Sequence, residues 1–159
     1  MLVKSINPLE IIELPTPKDL YTTLIHPQIE IKTSEARAIL PKEIPLQKDI
    51  VQWANVGSLI HALHTNDYEL IGKSLTDVIV EPYRSQLIPN FDQVKKAALE
   101  SKALGCGIYG SGPSIYSLSK GIENAQNVSD AMNSIYKNTS IDFDIYISKI
   151  NTQGMKILS

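Results

Sequence analysis

The sequence is short of cysteine, arginine, long apolar runs and excess charge of one sign. A single cysteine, Cys106, leaves no partner for an intrachain disulfide and fits a reducing compartment. No apolar run approaches the ~18 residues that cross a bilayer, and the first residues lack the charged and apolar blocks of a signal peptide. A cytoplasmic protein with no membrane partner is the expectation. Fifteen basic side chains against 17 acidic ones give a net charge of −2, which argues against nucleic acid or an anionic surface as a partner. Only Arg37 and Arg84 are arginine. Repeats, low-complexity tracts and linkers are missing as well.

What is present suits an ordinary folded domain of 159 residues, with 43% hydrophobic and 20% charged side chains. A chain of that length buries roughly 70% of its unfolded surface and needs no staples. Leu2 to Ile6 and Leu9 to Leu14 read as strands joined by the turn dipeptide Asn7-Pro8, a hairpin too small to stand alone in water. Leu20 to His26 is a β-rich run, followed by a short alternating piece from Ile29 to Lys32. Ser34 to Leu40 favours helix until Pro41. From Pro45, Ile50, Trp53, Ala54, Gly57, Ile60, His61 and His64 recur at helical spacing, widened by Val51, Leu59 and Leu63, so this helix is expected to be sandwiched. Asn66-Asp67 caps a further helix to about Val80, halted by Glu81-Pro82. Asn90 caps an amphipathic helix through Ser101.

Strands from Gly105 to Tyr109 and Ser114 to Ser119, a helix from Ile122 to Ile135 and a strictly alternating strand from Ile141 to Ser148 complete the chain. The expected fold class is α+β: a ferredoxin-like split βαβ, with extra helices in the first crossover and an N-terminal β-hairpin.

Four of eight glycines lie between Gly105 and Gly112. The string GCGIYG satisfies G-x-G-x-x-G, but a dinucleotide fingerprint needs a strand before and a helix after, and here the order is reversed. The phosphate-loop spacing of Gly105 and Gly110 fails too, because Ser111-Gly112 stands where Lys-Ser/Thr is required. Two readings remain: a tight hairpin using positive φ, or a small-residue window that lets a phosphate or another backbone approach. His61, His64 and Asp67 have the spacing of metal ligands but no convincing fourth partner, and the same face carries Trp53 and Ile60. Cys106 has no activating base and reads as a small core residue. The arginines fall beside prolines, either as salt-bridge partners of Glu35 and Glu81 or as planar forks for a carboxylate or phosphate.

Thr33 to Pro41 (TSEARAILP), Asp77 to Phe91 (DVIVEPYRSQLIPNF) and Gly107 to Leu118 (GIYGSGPSIYSL) closely resemble the homoserine kinase family. The last stretch is similar to the third motif of the wider GHMP small-molecule kinases. The resemblance extends from about residue 1 to Ser159. It implies residues 20–159 as the GHMP kinase C-terminal domain and residues 1–19 as a hairpin belonging to the sheet of an N-terminal domain. Family members are about twice this length, and no P-x-x-x-G-L-G-S-S-A-like stretch occurs here, so the chain resembles a C-terminal half.

What the resemblance implies is transfer of the γ-phosphoryl group of ATP to the hydroxyl of L-homoserine, on the route to threonine. Its ATP and Mg2+ contacts lie mostly in the N-terminal half, which is the implied partner along with a second copy in a homodimer. Arg37, Arg84, Gly110 and Ser111 are implied as substrate-binding residues. Gly107, Gly110, Ser111, Gly112, Pro113 and Ser114 are implied as a loop supporting the phosphate site. No catalytic residue and no metal ligand is identified in this half, so the chain alone is expected to be inactive. The competing expectations are a non-catalytic ACT-like amino-acid sensor, which shares the ferredoxin-like plan, and a mevalonate-type or sugar kinase.

Overall fold

The computed structural model describes residues 1–154. Its elements in chain order are β1 (Leu2–Ile6), β2 (Leu9–Ile12), β3 (Leu20–Pro27), α1 (Thr33–Ala38), α2 (Leu46–Thr65), α3 (Tyr68–Ser74), α4 (Glu81–Arg84), α5 (Phe91–Glu100), β4 (Gly105–Ile108), β5 (Ile115–Lys120), α6 (Ile122–Lys137) and β6 (Phe143–Lys149). A 3-10 turn, Ser85–Leu87, extends α4.

Strands β4, β5, β3 and β6 form one antiparallel sheet in that order. Taken in chain order these are the second, third, first and fourth strands, which is the expected ferredoxin-like plan. Ile25 at the centre pairs with Ile115 on one side and Ile145 on the other, a row of branched side chains across one face. Helices α5 and α6 cover that face with Phe91, Val94 and Ala98 and with Val128, Met132 and Tyr136. The three- and four-residue spacings within each set place these side chains on one stripe. Each large side chain buried there contributes roughly 1.5 to 3 kcal/mol. The Tyr136 hydroxyl donates to the Pro89 carbonyl at 2.7 Å, and its ring lies 5.6 Å from that of Phe143.

Several boundaries depart from the sequence expectation for identifiable reasons. β2 stops at Ile12 instead of Leu14 because Ile12 already pairs with Leu2, the first residue of β1. Ile29 to Lys32 is not a strand: both edges of β3 are taken, by β5 and β6, and Ile31 lies under the glycine loop instead. α1 starts at Thr33 and ends at Ala38, earlier than Leu40, since the residue before Pro41 disfavours the helical region.

The helix capped by Asp67 is real, with Asp67 Oδ1 accepting from the Leu70 N–H at 3.0 Å, but it ends at Ser74 and not near Val80. Asp77 intervenes by accepting from the N–H groups of Ile79, Val80 and Glu81 at 2.8, 2.8 and 3.3 Å. These bonds turn the chain into a new helix, α4. Pro82 therefore opens a helix instead of halting one, since a first-turn residue has no helical N–H bond to lose.

The expected sandwiching of α2 also fails. The helix packs on α3 through the side bearing Leu59 and Ala62, while Leu46, Ile50 and Trp53 face solvent. Asn90 stands at the N-cap of α5 as expected, but in a left-handed conformation with φ 60° and no side-chain capping bond. Among the described residues, strands β1 and β2 pair only with each other, and Ile6 and Leu9 are 85% and 65% exposed.

Candidate functional site

The turn between β4 and β5 is where the singled-out residues meet. β4 and β5 are antiparallel neighbours, with Ile108 opposite Ile115, so the glycine segment is a hairpin connection. The Gly112 N–H donates to the Tyr109 carbonyl at 3.1 Å, and the Tyr109 N–H to the Ser114 carbonyl at 2.8 Å. Gly110 and Gly112 adopt φ of 62° and 86°, a region that side chains with a Cβ rarely enter. A Cβ on Gly112 would also lie 3.1 Å from Ile88 and 3.4 Å from Ile31. The loop thus sits on residues from two separate segments, one leading into α1 and one leaving the turn after α4.

Arg84 ties the same three pieces together. Its Nε donates to the Ala36 carbonyl in α1 and its Nη1 to the Gly110 carbonyl, each at 3.0 Å. The salt bridge to Glu81 considered from sequence is not formed, because Glu81 pairs with Lys95. Arg37 follows Ala36 in the same helix and is exposed, and its side chain has no hydrogen bond or ion pair among the described residues. The Arg84 guanidinium is held by backbone carbonyls, one of them in the helix that carries the exposed Arg37.

Ser111 is half-buried in the loop and Pro113 is buried beneath it. Ser114 is engaged: its Oγ lies 2.8 Å from Nδ1 of His26 on β3. Gly107 belongs to the strand and not to the loop. A Cβ on it would lie 3.2 Å from the Tyr116 ring and 3.3 Å from Glu81 Oε2.

Gly107, Tyr116, Asp77 and Glu81 line a cavity of about 70 Å³. These two acids, with Lys95, are neighbours of the candidate site that composition and spacing did not pick out. The signal available was Asp77 two residues before an N–H run that ends in Pro82, the pattern of an aspartate that starts a turn. Glu81 bonds to Lys95 of α5, with both side chains largely buried. Burial nevertheless pushes the Glu81 carboxyl above its ordinary 4.5, outweighing the pull of Lys95 in the other direction, with smaller upward pushes from Asp77 and Asp92. Burial also raises the Tyr116 phenol, and it pushes the Cys106 thiol up to about 12. Cys106 is 1% exposed and belongs to the core cluster, as expected.

Helix α2 steadies this region from behind. Gln52 Oε1 accepts from the Val78 N–H at 3.1 Å, and Asn55 Nδ2 donates to the Thr76 carbonyl at 2.9 Å. His64 and Asp67 are occupied locally, His64 Nδ1 lying 2.8 Å from the Ile60 carbonyl and Asp67 capping α3. No group of three potential ligands for a metal ion occurs among the described residues.

The donor groups here do not fit a nucleotide with its magnesium ion. Asp77 spends both carboxylate oxygens on backbone N–H groups, Glu81 is paired with Lys95, and the Gly112 N–H is turned to Tyr109. The arrangement fits a small anion better: a planar cation fixed by backbone carbonyls, an exposed arginine on the helix it is tied to, and a loop without bulky side chains.

A family model for the C-terminal domain of GHMP kinases matches residues 59–138. Homoserine kinase from Chlorobium phaeobacteroides strain BS1 is 49% identical over 99% of this chain and 50% of its own length. Homoserine kinase from Chlorobaculum tepidum is 47% identical over 100% of this chain and 50% of its own. The chain spans about half the length of the curated relatives it matches. A crystal structure of homoserine kinase from Cytophaga hutchinsonii superposes with a TM-score of 0.93 at 52% identity, covering 96% of this chain and 48% of that one. The phosphomevalonate kinase of Streptococcus pneumoniae, at a TM-score of 0.62 and 16% identity, shares the fold.

Proposed function

From the premise that the chain belongs to the GHMP kinase C-terminal family, we propose that it is the substrate-gripping half of a homoserine kinase. The whole enzyme transfers the γ-phosphoryl group of ATP to the side-chain hydroxyl of L-homoserine, giving O-phospho-L-homoserine for threonine biosynthesis. In the transfer the hydroxyl oxygen forms a bond to phosphorus as the bond to the ADP oxygen breaks, and the hydroxyl proton is lost. This half holds the acceptor. ATP and Mg2+ are assigned to an N-terminal half, so the 159 residues by themselves are inactive. The setting is the cytoplasm and the whole enzyme is a homodimer.

The observation that carries this reading is the Arg84 clasp. Homoserine is a small zwitterion, so a kinase selects it by its carboxylate, and a fork held at Nε and Nη1 presents its remaining N–H groups in a fixed direction. Arg37, adjoining Ala36, completes a pair of cations on one carboxylate. Charge-assisted bonds of this kind contribute about 1.5 to 3 kcal/mol each. Gly110 and Ser111 form the wall next to that carboxylate. Gly107, Gly112, Pro113 and Ser114 keep the wall in place for a phosphate site across the domain boundary. Holding the hydroxyl in line with phosphorus supplies much of the acceleration in phosphoryl transfer.

The test is turnover of L-homoserine by the longer enzyme carrying Arg37→Ala or Arg84→Ala. Near-normal kcat/KM in both variants contradicts the assignment of roles. A protein that lacks a phosphate-binding half altogether, yet binds a free amino acid tightly, would favour the ACT-like sensor instead. Preference for an acceptor without an amino-acid backbone would favour a mevalonate-type or sugar kinase.

A further inference from the structure

The glycine turn between β4 and β5 is laced to one stretch of chain at three points. Ser114 Oγ lies 2.8 Å from Nδ1 of His26, a Cβ on Gly112 would lie 3.4 Å from Ile31, and Arg84 bridges the Gly110 and Ala36 carbonyls at 3.0 Å each. Turn residues 114, 112 and 110 therefore meet residues 26, 31 and 36 in order, the last pair through Arg84. The segment leading from β3 into α1 runs along the turn in the opposite direction, and Arg37 stands at its far end.

The lacing answers a physical need. Gly110 and Gly112 stand at positive φ, and glycine gives up more backbone freedom on ordering than any other residue, so such a turn keeps one shape only if it is anchored from outside. The three anchors differ in kind. Ile31 supplies apolar contact, and Arg84 comes from α4, itself one short turn. Of the three, only His26 belongs to the sheet, on β3, whose two edges are both taken, by β5 and by β6. It is half-buried there, on the face opposite Ile25 and the core. Its cross-strand neighbour Asp144 accepts from Gln28 Nε2 at 2.7 Å. The Ser114 carbonyl accepts from the Tyr109 N–H at 2.8 Å, which closes the turn at its base. Fixing Ser114 on the strand thus fixes that base.

We propose that His26 is a positioning residue for phosphoryl transfer: its bond to Ser114 fixes the β5 end of the glycine turn on the central strand, on the side assigned to the phosphate site. The proposal rests on the homoserine kinase reading above and adds a residue to it. Arg84 holds the other end of the turn and stays in place without His26, so the grip on the acceptor carboxylate survives the loss of His26. What goes is the fixed placement of the turn against the reacting phosphate, and a displacement of about 1 Å is enough to slow a transfer that depends on alignment. The effect of His26 therefore belongs in kcat and not in KM for the acceptor. Nothing in this role requires His26 to touch either substrate.

Steady-state kinetics of the longer enzyme and nitrogen NMR of the histidine ring test the claim together. His26→Leu should lower kcat about tenfold or more while KM for L-homoserine stays within about twofold, the reverse of the weakened acceptor binding expected for Arg37→Ala. His26→Asn, whose amide sets a hydrogen-bonding group near the position of Nδ1, should recover most of the loss. Ser114→Ala removes a single oxygen and leaves the packing alone, so it decides the matter even where His26→Leu does not fold. It should move the Nδ1 resonance of His26 in the 159-residue chain, and in the longer enzyme His26→Leu should add little to its effect on kcat. A rise in KM with kcat unchanged, an Asn variant as slow as the Leu variant, or an Nδ1 resonance indifferent to Ser114→Ala overturns the proposal. An enzyme that turns over homoserine normally in all these variants defeats the role of His26 alone. One that phosphorylates no homoserine even before substitution defeats the functional reading, and this proposal with it.

Discussion

Arg37 and Arg84 look alike in composition but hold different positions, and that separates what their loss should do. Arg37 is exposed and unbonded, so Arg37→Ala should leave stability within about 0.5 kcal/mol of the starting protein while weakening the acceptor's binding. Arg84→Ala also frees the carbonyls of Ala36 and Gly110, so a fall in the urea midpoint should accompany the loss of binding. Glu81 provides a pH signature. Its carboxyl is raised above 4.5 by burial, so the folded state holds the proton more tightly than the unfolded one. The stability from this group is therefore full below the unfolded value and is lost as pH rises through the folded one. Lys95→Met removes a downward pull and should raise the Glu81 value further, read by carbon-detected NMR titration. A fall would contradict the downward pull assigned to Lys95. The Cys106 thiol, pushed up to about 12 in the core, should resist alkylation at pH 8 until the protein is unfolded. The two arginines and the glycine loop were legible in the sequence because arginine was rare and glycine clustered. The Glu81–Lys95 pair was not, since its members are fourteen residues apart and meet only once the chain between them has folded.

At the level of elements, the alternating strand β6 and the amphipathic helices α5 and α6 could be read directly, because one face of each meets the same core. The crossover from Leu46 to Arg84 was less legible. Periodicity shows that a helix has an apolar stripe but not which stripe is buried, and in α2 the inward positions Gln52 and Asn55 are polar because they serve the loop at 76–78. The end of α3 was hidden for a related reason, as Asp77 competes for backbone N–H groups over a stretch that otherwise suits a helix. Close approach constrains the crossover. A Cβ on Gly72 would lie 2.7 Å from the Leu104 carbonyl oxygen, which is backbone and cannot turn aside. Gly72→Ala should cost about 1 to 3 kcal/mol in urea unfolding, the usual penalty for overpacking. Gly57→Ala, with open space around it, should instead be neutral or stabilising in the protomer. Equal effects at the two sites would mean that α3 does not press on the segment leading into β4.

At the scale of the molecule, the described residues form a four-stranded sheet with its own helix-covered core and a hairpin, β1–β2, that joins no other strand among them. Removing residues 1–14 should therefore leave the cooperative unfolding of the remainder nearly unchanged, since none of the buried core residues lies in that segment. The ferredoxin-like strand order could be inferred from the order of elements alone, because a split βαβ unit has few ways to close. Where the hairpin belongs could not, because its apolar residues have no partner among these strands. The central claim, that this domain holds the carboxylate of an amino-acid acceptor for phosphorylation, is tested most directly by a change to the acceptor. The measurement is kcat/KM of the longer enzyme for L-homoserine and for its carboxamide, before and after Arg37→Ala. The amide keeps the hydroxyl and ammonium but loses the charge. The account predicts a strong preference for homoserine that shrinks about tenfold or more when Arg37 is removed, in line with one lost charge-assisted bond. An enzyme that phosphorylates both acceptors equally well, or whose preference is untouched by Arg37→Ala, would contradict it.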